Sequence, residues 1–289
     1  MSSKIALGTV QFGLDYGINN LAGQIPRNEV FEILEFAHKN GICMLDTAAA
    51  YGNSETIIGN FISKTKIADF KIISKYSSME VEEDEINEAI LVDSIKKLNV
   101  KSLYGYLAHD FKKFRNNVKQ IKKFLDLKKT GLINKIGFSF YNPQDLQFLI
   151  ENKIEFDIIQ IPYNVFDRRF ESYFTILKEK NVEIHIRSCF LQGLVFMKPE
   201  KLPVNLVGIS HKLSQLQSIA ANSNISIHFL CLSFCLANTN IDKVILGVDS
   251  LQNLKDNISN LNNKTEQTVT DQLCALKEEN ESLILPINW

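Results

Sequence analysis

Short apolar runs alternate along the chain with longer stretches in which apolar residues recur every three or four positions. The short runs fall at 4–9, 43–46, 70–75, 102–109, 134–139, 157–160, 183–187 and 243–247. Brief, nearly continuous runs of Ile, Val and Leu predict strands buried on both faces. The longer stretches, near 27–40, 54–65, 84–98, 114–130, 142–152, 171–181, 211–222, 226–238 and 250–261, predict helices. Asn40-Gly41, Thr130-Gly131 and Asn142-Pro143 punctuate the joins. This alternation predicts an α/β fold, a parallel sheet covered by helices. Eight strands with interleaved helices point to a (β/α)8 TIM barrel, which typically takes ~250 residues. The doubly wound alternative lacks its GxGxxG after the first strand, and Leu14 follows Gly8 to Gly13 where a phosphate loop needs Lys. A single barrel domain over 1–289 is expected.

Composition narrows the partners. The chain is 45% hydrophobic and 22% charged, with 32 Lys+Arg against 33 Asp+Glu. That excludes collagen-like and disordered classes. It also argues against a nucleic-acid partner, since phosphate binding needs a surplus of basic residues. The basic stretch 112–129 reads as the solvated face of an outer helix, with Val118, Ile121 and Leu125 inward. The acidic stretch 80–85 suits the start of the helix it precedes. No apolar run approaches the ~20 residues that span a bilayer, so no membrane partner is expected. MSSKIALGTVQFG lacks a basic-then-apolar leader, and the expected location is cytoplasmic. Cysteines 43, 189, 231, 235 and 274 show no CxxC spacing and read as buried thiols in a reducing compartment. Cys231 and Cys235 share a helix face without a His or acidic companion, so no metal is expected.

Candidate chemistry gathers at strand ends. Asp46 closes a short apolar run, Tyr51 follows in the next loop, and Ser54 is placed to cap the following helix. Lys75 ends the third strand and His109 the fourth. At the C-terminal rim of a barrel these four converge. An ammonium beside a phenol favours phenolate, and a buried carboxylate keeps the ammonium charged. Such a phenol suits general acid–base work on a carbonyl oxygen, with a histidine to orient it. The set supplies no hydride, which implies a nicotinamide cofactor.

DTAAAYGNSE (46–55), Lys75, His109, GFSFYNP (137–143), IIQIPYN (158–164) and LGVDSLQNLKDN (246–257) resemble the aldo-keto reductases. The order matches from about Lys4 onward, including the closing Pro286 to Trp289. The resemblance implies a (β/α)8 barrel that binds NADPH or NADH across its mouth and reduces a small-molecule carbonyl substrate. It implies Tyr51 as general acid, Lys75 and Asp46 as the pair that tunes it, and His109 as the substrate-orienting partner. Ser139 and Gln160 match the residues that hold the nicotinamide amide, with Phe140 standing where the family usually has Asn. Arg187 takes the place of a ring stacked on the nicotinamide. Ser188, Leu191 and Gly193 match the pyrophosphate loop; Gly247, Ser250 and Asn257 match the adenosine end.

Two departures shape the expectation. Members that prefer NADPH usually carry Lys or Arg at Asp249 and a second Arg at Asn253, so NADH is expected to serve at least as well, with Lys243 and Lys255 as the alternative phosphate contacts. Many members begin with a hairpin that plugs the barrel, whereas this chain enters Ile5 at once. The Gly-Thr-Val-Gln-Phe-Gly opening is shared with bacterial relatives that act on sugar-derived compounds, which implies a keto-sugar, free or nucleotide-linked. The resemblance also admits a regulatory protein that keeps the fold and cofactor with little turnover. A lyase or isomerase using Lys75 as a Schiff-base nucleophile is the third reading.

Overall fold

The computed structural model describes residues 2–18, 20, 22–67, 69–77, 86–111, 114–115, 117–259, 261 and 265–289. Eight parallel strands close in sequence order: β1 Ile5–Gly8, β2 Met44–Asp46, β3 Lys71–Tyr76, β4 Leu103–Ala108, β5 Ile133–Ser139, β6 Ile158–Pro162, β7 Glu183–Arg187 and β8 Lys243–Gly247. β1 pairs with β8 from Ile5↔Val244 to Gly8↔Gly247, so no edge is left open. The predicted single TIM barrel is what the chain forms.

Helices cover the outside for reasons visible in their spacing. α2 (Arg27–Lys39) buries Val30, Ile33, Leu34 and Ala37, the i, i+3, i+4, i+7 stripe of an amphipathic helix. α6 (Pro143–Glu151) starts on a proline, whose missing N–H costs nothing at that position. In α5 (Val118–Asp126) the inward residues are Ile121 and Phe124; Val118 and Leu125 are only partly buried. The helix predicted from 84 is observed as α4 (Glu88–Leu98), and the acidic stretch 80–85 lies outside the described residues, as do Lys112 and Lys113. Among the described residues no single helix is long and apolar enough to cross a membrane.

The barrel interior positions the site. Ala6, Met44, Ile73, Leu107, Ile158 and Ile245 fill it as one buried cluster. Side chains on a strand alternate faces, so the residue two places on points inward again, one layer nearer the C-terminal rim. Two steps beyond these six stand Gly8, Asp46, Lys75, His109, Gln160 and Gly247. The rim is therefore polar where the strands are long enough to reach it, and bare of side chains at β1 and β8. At the opposite end Glu183 accepts from Tyr104 at 2.7 Å, Lys135 at 2.5 Å and His185 at 3.1 Å. Of these four, only His185 is fully buried.

Candidate active site

Asp46 and Lys75 meet inside the rim. Lys75 Nζ donates to Asp46 Oδ2 at 2.6 Å, to the Thr47 carbonyl at 2.9 Å and to the Tyr51 hydroxyl at 3.4 Å. Gln160 Nε2 donates to the other Asp46 oxygen at 2.7 Å. Lys75 is wholly buried and Asp46 nearly so, so each charge depends on the other. The Tyr51 and His109 rings stand edge to face, 5.5 Å apart. All four predicted residues share one locus.

The loop that carries Tyr51 is locked to the first strand's loop. A Cβ on Gly13 would overlap the Tyr51 carbonyl oxygen, and a Cβ on Gly52, which has φ +55°, would overlap the Gly13 carbonyl. Only glycine allows this approach. Ser54 does not cap the next helix: α3 (Ser54–Thr65) has Asn53 at its N-cap, and Ser54 Oγ donates to the Thr9 carbonyl at 3.0 Å. Glu55, also buried, accepts from Ser74 Oγ at 2.5 Å and ties α3 to β3. The NSE that follows Gly52 thus anchors the loop from two sides.

Electrostatics depart from the expected tuning. Burial pushes the Tyr51 phenol well above its ordinary value, the Asp46 carboxylate adds to this, and Arg187 opposes it. The Asp46–Lys75 pair is close to neutral overall and offers the phenol little net field, so desolvation wins. Tyr51 is consequently a loaded acid at neutral pH. Burial lowers Lys75 and the Asp46 carboxylate pushes it back up. His109 falls from 6.5 to about 3, chiefly by burial and then by the Lys75 and Arg187 charges, and stays a neutral imidazole. Between those two values the unfolded chain binds a proton that the folded chain refuses, so stability falls as pH drops from 6.5 toward 3. Denaturant titrations at pH 7 and 4.5 check this: the wild type is expected to lose more stability on acidification than His109→Gln.

Tyr51 and His109 open into a cavity of about 540 Å³ at the rim. Asp46, Ser139, Gln160, Arg187, Ser188, Gly193, Gly247, Asp249 and Asn253 line it as well; Leu191, Ser250 and Asn257 do not. Leu191 is a fully buried core side chain. Ser250 Oγ accepts from Asn253 N at the start of α10 (Leu251–Ser259), and Asn257 Nδ2 donates to Asn253 Oδ1 at 3.1 Å. Arg187 lies over the Tyr141 ring at 4.1 Å and donates to the Phe140 carbonyl at 3.1 Å. Phe140 itself is buried against Phe111 and Phe138. Ser188, Leu191, Gln192 and Gly193 all have positive φ, a strained run at the cavity edge. Within it the Leu191 and Gly193 amides bond to the Ser188 and Phe190 carbonyls.

The aldo/keto reductase family matches residues 4–278. The chain belongs to the aldo/keto reductase family. It is 24% identical over 296 residues to the uncharacterized oxidoreductase YqkF of Bacillus subtilis (strain 168), covering 92% of this chain and 94% of that one. It is 22% identical over 303 residues to the NADH-specific methylglyoxal reductase of Escherichia coli (strain K12), covering 90% of each. Among solved structures, the holo form of the aldo-keto reductase AKR11C1 from Bacillus halodurans superposes with TM-score 0.75 at 20% identity, over 94% of this chain and 91% of that one. The reductase is thus an oxidoreductase whose cofactor class is NAD(P)H.

The rim fits such a dinucleotide. Gly8 and Gly247 leave a floor without side chains: a Cβ at Gly247 would stand 3.2 Å from Gln11 Nε2, and one at Gly8 would stand 3.1 Å from Ile245 Cγ2. Gln11 lines the cavity and is 7% exposed, and its buried Oε1 has no partner among the described residues. Its Nε2 donates to Asp249 Oδ1 at 3.4 Å. Gln11, Tyr141 and Gln192 line the cavity too, although a lone Gln or Tyr outside a strand end has no signature of its own. Gln192 Nε2 donates to the Tyr16 hydroxyl at 2.8 Å, joining the first and seventh loops across the opening. Tyr16 lines the cavity, whereas the aromatic side chains of Phe12, Tyr76, Phe111, Phe140 and Phe166 pack in the core.

Proposed function

We propose that this reductase converts an aldehyde or ketone to the alcohol, with Tyr51 as the proton donor. The observation that supports it is the buried chain Asp46–Lys75–Tyr51, which ends at a phenol in the cavity beside a neutral His109. A carbonyl oxygen between Tyr51 and His109 meets two neutral donors. When bound, NAD(P)H supplies the hydride to the carbonyl carbon. The oxygen then takes the Tyr51 proton, and the negative charge that develops on the phenol oxygen faces the Lys75 ammonium. Asp46 holds that ammonium and Gln160 holds Asp46, so the direction of the charge is set before the reaction begins. Ser139 and Gln160, paired across β5 and β6 and both lining the cavity, would hold the nicotinamide amide. Lys75 has three acceptors and does not line the cavity, which disfavours a Schiff-base role.

Asp249 favours NADH. Its carboxylate, held by Gln11, would accept from a ribose hydroxyl and repel a 2′-phosphate. The nearby Glu29 carboxylate accepts from the first amide of α10, adding negative charge there. Lys243 begins β8 at the far end of the barrel and bonds the Ser3 carbonyl, and Lys255 packs on the Phe36 ring at 5.6 Å. Lys243 is therefore out of reach of a phosphate at the rim, and Lys255 is engaged with a ring on the outer surface. The expected kcat/KM with NADH equals or exceeds that with NADPH, and a hundredfold preference for NADPH overturns this. Tyr16, Asn20, Tyr141 and Gln192 give the opening hydrogen-bonding walls, which suit a hydroxylated carbonyl compound such as a keto-sugar. Following cofactor absorbance against keto-sugars, methylglyoxal and simple aliphatic ketones tests the activity; no turnover across the panel overturns it.

A further inference from the structure

A second group of chemically capable side chains lies at the opposite end of the barrel. His38 is in the last turn of α2, Cys43 stands one residue before β2, and Asp69 stands two before β3. One ligand atom from each lies within 4.8 Å of the other two. Cys43 is three residues before Asp46, about 10 Å along the strand direction from the rim. We infer that His38, Cys43 and Asp69 form a three-ligand site for a zinc-class divalent transition metal, independent of the reductase cavity.

The donor set fits that class. Imidazole nitrogen, thiolate sulfur and carboxylate oxygen are the three protein ligands of Zn²⁺, at about 2.0–2.3 Å each, and a water takes the fourth tetrahedral position. Those bond lengths separate tetrahedral neighbours by about 3.3–3.7 Å. His38 Nε2 is now 2.9 Å from Asp69 Oδ1, and every pair is within 4.8 Å, so adjustments of about an ångström admit the ion. Thiolate and carboxylate together balance a divalent charge. Burial and then the Asp69 carboxylate hold the metal-free Cys43 thiol above its ordinary value, with Lys243 and Lys71 opposing them, so ligation displaces a bound proton and the two lysines temper the site's affinity. On binding, the S–H bond breaks, its proton passes to solvent, and sulfur bonds the metal.

Backbone bonds hold the three ligands in register. The Gly41 amide donates to the His38 carbonyl at 3.0 Å and the Ile42 amide to the Ala37 carbonyl at 2.9 Å, fixing the turn between His38 and Cys43. The Lys71 amide donates to the Cys43 carbonyl at 2.8 Å, and Met44 pairs with Lys71, which anchors the segment carrying Asp69. His38 also rests edge to face on Phe70 at 5.5 Å. The three groups are part-exposed to exposed, so an ion reaches them from solvent. The ordering cost that normally weakens a surface site is largely met by the fold.

Co²⁺ added to chelator-treated full-length protein reads the site directly, because thiolate ligation produces a near-ultraviolet charge-transfer band. The expected result is saturable uptake of one Co²⁺ with that band, displaced by Zn²⁺. Cys43→Ser abolishes the band, Asp69→Asn weakens binding at least tenfold, and Cys274→Ser, at an exposed thiol elsewhere, leaves both unchanged. NADH binding by fluorescence, expected to be the same in every variant, shows that each is folded. Absence of the band in the wild type, or an unchanged band in Cys43→Ser, overturns the inference.

Discussion

Tyr51→Phe is expected to lower kcat/KM for carbonyl reduction by roughly 10²–10⁴-fold, the range for loss of a positioned proton donor. The ring keeps its edge-to-face contact with His109 and its place over the Lys75 ammonium, 4.9 Å from the ring centre. Only the hydroxyl is removed, so the dissociation constant for NADH, measured by fluorescence, should stay within about twofold of the wild type, below the 1.4 kcal/mol of a tenfold change. A variant that retains near-native turnover means another group protonates the oxygen. Because burial keeps the phenol above its ordinary value, the wild-type rate should show no loss of this acid as pH rises from 7 to 9.

Lys75→Met has the largest expected effect on the folded state. It leaves the Asp46 carboxylate inside the barrel with Gln160 Nε2 still donating to one of its oxygens. Breaking a buried pair from one side costs about 3–5 kcal/mol, since the surviving charge keeps its desolvation penalty. Urea denaturation should show that loss. Adding Asp46→Asn to the same chain removes the stranded charge and should restore much of the stability, while activity stays low in both. If the double variant is no more stable than the single one, the pair is not the reason for the loss. The two measurements separate what the pair contributes to folding from what it contributes to the phenol.

Much of this arrangement was legible before any coordinates. The strand ends at Asp46, Lys75 and His109 follow from short apolar runs closing on a polar residue, and period-two alternation explains why each of them faces inward. The departure at Asp249 was visible too, as a carboxylate where a phosphate contact is usual. Other positions depend on contacts distant in sequence. Ser54 looks like a helix cap in one dimension, yet its hydroxyl bonds Thr9, forty-five residues away in sequence. Leu191, Ser250 and Asn257 sit in matching segments but lie outside the cavity wall. Gln11 lies in the opening motif but its pairing with Asp249 does not show there, and the His38–Cys43–Asp69 group has no local signal, because both depend on partners brought near by strand pairing.

Apolar periodicity and the polar residues that end each run determined the barrel and the identity of the four central groups, because both depend on neighbours along the chain. Tertiary structure decided the protonation of those groups. A phenol next to an ammonium is acidified in isolation, but here the ammonium is matched by a carboxylate and burial governs, leaving Tyr51 protonated and His109 neutral. Desolvation depends on how densely the whole fold surrounds a group, and no stretch of sequence contains that quantity.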